Sequence, residues 1–126
     1  MTSIENLLKT NGFILDNIDS AIFFGDYLKI FSFNDIDIRI VNSKNQFSFD
    51  IRKKNSEWFD IGLLKCLINK EENLTCNFEL NDFQDVLKLN IDTIKILFDE
   101  QNYINTESQL KKLEQRRVKQ LFNNFN

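Results

Sequence analysis

Carboxylates are the side chains here with the most chemical potential. Asp16, Asp19, Asp26, Asp35, Asp37 and Asp50 recur through the first half of the chain. A hard-cation loop needs oxygen ligands converging from close spacing, yet no Asp-x-Asp-x-Asp-Gly run occurs, and Asp35-Ile36-Asp37 straddles a turn and a strand face. For paired acid and base carboxylates of the glycosidase kind, nothing in the spacing selects a pair. The chain has no His. That removes Ser-His-Asp and Cys-His nucleophiles, histidine general bases and most zinc sites. With 3 scattered glycines there is no loop to cradle a phosphate. Cys66 and Cys76, in an expected helix and an expected loop, read as reduced structural thiols. The expectation is therefore a protein that is not an enzyme and holds no metal and no cofactor.

Two readings of the carboxylates remain. They are turn residues plus the polar face of a sheet, or they form an acidic surface for a basic protein partner. Such a surface raises association rates by steering. Asp35, Asp37, Glu71 and Glu72 are the expected partner contacts, and Glu79 extends the same connector.

The cations are placed differently. Residues 1–106 carry 11 basic and 17 acidic side chains, a balance of −6, whereas 107–126 carry 5 and 2, a balance of +3. Lys111, Lys112, Arg116, Arg117 and Lys119 fall on one expected C-terminal helix. They read as a solvated face near a helix C-terminus, where cations are favoured. An RNA- or membrane-binding helix is the alternative. No aromatic interleaves the basic face, and the acidic body disfavours phosphate, so direct nucleic-acid binding is not expected.

The elements that must position these groups are legible from period. Tyr27 to Arg52 reads as an antiparallel meander. Tyr27, Lys29, Phe31 and Phe33 alternate with Leu28, Ile30 and Ser32. Ile36, Ile38 and Ile40 oppose Asp37 and Arg39, and Phe47, Phe49 and Ile51 oppose Ser48, Asp50 and Arg52. Asn34-Asp35 and Asn42–Asn45 supply the turns. Phe13–Ile18 reads as an earlier strand, Ala21–Phe24 as the start of another interrupted by Gly25-Asp26, and Leu74–Leu80 as a short edge strand.

Helices flank these strands. The first is capped by Thr2 or Ser3 and stopped by Gly12. A middle helix is capped by Ser56 and runs to about Asn69, with Trp58 anchoring its start to the sheet. A long helix runs from Asn81 or Asp82 to about Glu100, and a last one is capped by Thr106. The short connector between those two implies an antiparallel pair. The fold class expected is α+β: an antiparallel meander of about four to five strands covered by an N-terminal helix, a middle helix and a C-terminal helix pair. The 126 residues form one domain, with 42% hydrophobic content and 13 Phe for its core. No apolar run is long enough to span a membrane and no signal peptide is visible, so a cytoplasmic protein is expected. Abundant Asn, Ile, Lys and Phe fit AT-rich bacterial coding.

A resemblance adds to this. Phe24-Gly25-Asp26 leads into a hydrophobic strand. Gln46-Phe47-Ser48-Phe49-Asp50-Ile51 and Glu57-Trp58-Phe59-Asp60-Ile61 follow. Asn102-Tyr103 then precedes Thr106, Leu110, Leu113, Arg117, Leu121 and Phe122. In this order the chain resembles small immunity proteins of bacterial contact-dependent growth inhibition and polymorphic-toxin loci. It departs from them at Asn42-Ser43-Lys44-Asn45, where an acidic or glycine-containing turn is expected. The resemblance implies a non-enzymatic protein that binds the C-terminal domain of one cognate toxin, often a nuclease, and blocks it. The alternatives are a generic α+β interaction module with another partner, and a nucleic-acid-binding protein using the basic C-terminal helix.

Overall fold

The computed structural model describes residues 2–20, 26–75 and 77–124. Five strands follow one another in space as in sequence, all antiparallel: β1 (Ile14–Ser20), β2 (Tyr27–Phe33), β3 (Ile36–Ser43), β4 (Gln46–Lys53) and β5 (Phe59–Asp60). Two-residue loops join β2 to β3 and β3 to β4, since Phe33 pairs with Ile36 and Ser43 with Gln46. Such loops favour positive φ, and Asn34, Lys44 and Asn45 adopt it, at 49°, 53° and 64°. Here Asn is the residue that tolerates the left-handed region best after Gly.

One sheet face is apolar, as the alternation requires. Phe31, Ile38, Ile51 and Phe59 pair across four strands as a single buried row. Beside it, Phe49 stacks on Phe83 with centroids 4.2 Å apart. Burying each of these side chains is worth about 1.5–3 kcal/mol, so this row and its helical cover dominate the core.

Four helices form that cover: α1 (Thr2–Thr10), α2 (Ile61–Asn69), α3 (Leu80–Leu97) and α4 (Tyr103–Asn124). α1 ends in a Schellman motif. Gly12, at φ 92°, donates its N–H to the Lys9 carbonyl, and the Phe13 N–H reaches Leu8 at 2.9 Å. The closest helix contacts are α1 with α3 and α2 with α4, so α4 meets α2 more than α3.

Several boundaries differ from the sequence expectation, each for a packing reason. The chain after β4 does not turn helical at Ser56. Phe59 first completes the buried row opposite Ile51, and Asp60 caps α2 by accepting the Gly62 N–H at 3.0 Å. The expected strand at Leu74–Leu80 is not formed. β5 takes the Asp50–Ile51 part of the β4 edge, Leu74 is buried with its N–H donated to Gln120 Oε1, and α3 begins at Leu80. α3 follows Glu79, whose N–H is held by Asp82 Oδ2 at 2.8 Å, and it stops at Leu97. Thr106 does not cap α4, which starts at Tyr103; its hydroxyl instead donates to the Leu97 carbonyl at 2.7 Å. β1 runs two residues past Ile18. The expected strand start at Ala21–Phe24, Gly25 and Cys76 lie outside the described residues, and β2 begins at Tyr27.

Candidate functional site

All four helices bear on the apolar face, so among the described residues the other face of the sheet has no helical layer. Cross-strand pairs point to the same side of an antiparallel sheet. One outer row is therefore Ser32–Asp37–Arg52, and its neighbour is Ile30–Arg39–Asp50–Asp60. Period 2 also places Trp58 on this side, since Phe59 after it points into the core.

The charges of the face neutralise one another. Asp37 is 1% exposed. Its Oδ1 accepts the Ser32 hydroxyl at 2.6 Å, and its Oδ2 accepts the Arg52 Nε–H at 3.0 Å. Arg39 donates twice to Asp50 Oδ2, at 3.2 and 2.9 Å. Asp60 Oδ2 accepts from Arg117 of α4 at 2.7 Å. Burial pushes the Asp50 carboxyl above its ordinary range, Arg39 draws it part of the way back, and Asp60 adds a smaller upward push.

Trp58 joins the two rows. The Arg39 and Arg52 guanidinium carbons lie 4.3 and 4.2 Å from its ring centroid. Both cations are thus held twice, by a carboxylate in the sheet and by the indole face. The ring itself is half-buried. Half-buried Ile30, Leu28 and Val41 lie on the same open face. An aromatic and two arginines, ordered before any partner arrives, can recognise another protein surface. Asp37, Asp50 and Asp60 on this face are each engaged by an arginine, whereas Asp19, opposite Leu28 on β1, is exposed. Among the described residues no group of three or more His, Cys, Asp or Glu is arranged to hold a metal ion, and no helix is long and apolar enough to cross a membrane.

The expected partner contacts are dispersed. Asp37 lies under the Trp58 cluster with its carboxylate already occupied. Asp35 is exposed in the β2–β3 turn, at the rim of an open cavity of ≈ 750 Å³ that Asp99 and Glu100 also line. Glu71 pairs with Lys65 at 3.3 Å, and exposed Glu72 offers its carbonyl to Gln120. The Asp35 cavity reaches Gln101, just before α4, whereas Glu72 lies beside Gln120 near its far end. At 1.5 Å per residue the two are separated by roughly 25 Å of helix. Asp35 and the Glu71–Glu72 pair therefore form two separate acidic points.

Trp58, Arg39 and Arg52 were not among the expected contacts. The signal was present: Trp58 continues the outward phase of Asp60, and Arg39 and Arg52 sit in the polar phase of β3 and β4. The missing fact was that Phe59–Asp60 is a strand.

No protein-family model, curated protein or solved structure matches this chain.

Proposed function

We propose that the chain is an immunity protein, a stoichiometric, non-covalent inhibitor of one cognate toxin domain. The observation that carries this reading is the helix-free sheet face with Trp58 fixed against Arg39 and Arg52. Tryptophan and arginine dominate the few residues that supply most interface energy. Holding them in place beforehand reduces the rotamer entropy lost on binding. A complex of standard size buries about 1,600 Å² in total.

Charge supports a basic toxin surface. Residues 1–106 carry a balance of −6, and exposed Asp35, Asp99, Glu100 and Glu72 lie away from the neutralised sheet face. A nuclease, whose substrate cleft is basic, is the toxin class that fits best. The protein would act in the bacterial cytoplasm, where such a toxin meets its substrate. The basic C-terminal helix is less suited to nucleic acid, because Arg117 is bonded to Asp60 and Lys111 lies near Glu57 and Glu107.

The test is co-expression with the product of the neighbouring gene. The expected result is co-purification at one-to-one stoichiometry and loss of toxin activity at equimolar ratio. A toxin that is neither retained nor inhibited overturns the reading.

A further inference from the structure

The sheet is finished differently at its two edges. At one edge β5 is only two residues long, the chain turns directly into α2, and Asp60 is tied to α4 through Arg117. At the other, β1 is seven residues long and, among the described residues, pairs only with β2. Among the described residues, no backbone hydrogen bond reaches 14–20 from any other segment. A strand paired on one side leaves half of its N–H and C=O groups facing outward.

Proteins usually protect such an edge, and β1 has two protective features. Its register breaks between Leu15 and Asn17, and it carries Asp16 and Asp19, both exposed. These features oppose pairing with a second copy, because two β1 strands would bring four carboxylates onto one seam. They do not explain its apolar side chains. Ile14, Leu15 and Ile18 are 71%, 39% and 53% exposed. Ile14 pairs with Ser32 and so lies on the open face, whereas Leu15 and Ile18 pair with Phe31 and Lys29 on the helical side. The edge thus offers outward backbone groups, apolar contact on both faces and negative charge.

We infer that β1 receives an extended strand from a protein partner, one in which lysine or arginine alternates with β-branched residues. The added strand becomes the sixth of the sheet. Main-chain bonds supply affinity, and its cations meet Asp16 and Asp19. The inference rests on the partner-binding reading for the origin of the strand, but it is independent of the Trp58 cluster.

The probe is an eight-residue peptide of alternating lysine and valine, N-methylated along one edge so that it cannot stack on itself. Amide hydrogen exchange of the full chain is read by NMR. At a peptide concentration ten times its dissociation constant, outward amides within 14–20 should slow by about tenfold. The glutamate–valine counterpart should leave them unchanged. The double variant Leu15→Lys, Ile18→Lys should lose the protection while keeping the parent thermal midpoint, since both side chains are exposed. Exchange that does not change within 14–20 overturns the inference, as does equal protection by the two peptides. Protection that grows with protein concentration alone also overturns it, by making a second copy the occupant. No toxin is used, so a negative result here leaves the co-purification test standing.

Discussion

Trp58 sits against two guanidiniums whose carboxylates are fixed in the sheet, and this sets its expected energetics. On the proposed reading, Trp58→Ala should weaken binding of the toxin domain about 30-fold or more, the size of a hot-spot loss, measured by titration calorimetry. Asp37 has the opposite character, since it serves the fold. Asp37→Ala leaves Arg52 and Ser32 without their acceptor and should cost about 3 kcal/mol in urea unfolding. The Tyr103 hydroxyl is buried, and among the described residues no group lies in hydrogen-bonding geometry with it, although Ser56, Glu107 and Lys53 are near. Burial, then Glu107, raises its pKa above the ordinary 10.0. A raised folded-state value means that ionisation favours the unfolded chain: the group leaves stability independent of pH below 10 and lowers it as the pH rises from 10 through the folded value. Tyr103→Phe should therefore unfold less readily under alkali, and should be about 1 kcal/mol more stable near neutrality, as thermal scans across pH would read. At this scale the polar phase of Asp37, Arg39, Asp50 and Arg52 was legible from alternation. Which acid pairs with which base was not, because that depends on strand register.

Strands and helices were legible where period and turn chemistry agreed, and illegible where a neighbouring element decided. Gly12 is the clearest agreement: a lone glycine after an amphipathic turn reads as a helix stop, and it ends α1 at positive φ. A Cβ there would lie 3.0 Å from two carbons of the Phe33 ring. Gly12→Ala should cost about 1–3 kcal/mol, seen as a lowered thermal midpoint. The stretch after β4 is the clearest disagreement. Ser56 has good capping chemistry, yet Phe59 is worth more as the fourth member of the buried row, and that delays the helix to Ile61. α4 shows a limit of the same kind. Its apolar stripe continues in sequence through Val118, Leu121 and Phe122, but burial ends at Leu113, because α2, on which α4 packs, is only nine residues long.

Across the whole molecule, charge and topology separate two roles. The sheet face is locally neutral around Trp58, while acidic points stand at the β1 edge, at the β2–β3 turn and beside the far part of α4. If the proposed toxin binding holds, steering by a distributed acidic body should make association salt-sensitive, with the on-rate falling about tenfold or more from low to high salt. Asp35→Lys with Glu72→Lys should lower the on-rate and leave the off-rate nearly unchanged, as stopped-flow mixing would resolve. The sequence alone determined the α+β class, the meander, its Asn34-Asp35 turn and the two-faced alternation of its strands, because these follow from local period and backbone preference. The second turn, expected over Asn42–Asn45, is only Lys44-Asn45, since Asn42 and Ser43 still pair within β3. Only the tertiary structure decided that Phe59 and Asp60 form an edge strand, that Trp58 lies over Arg39 and Arg52, and that Asp37 is buried beneath them. Those facts depend on which distant segments meet across the sheet, and no local pattern specifies a meeting between residues so far apart in the chain.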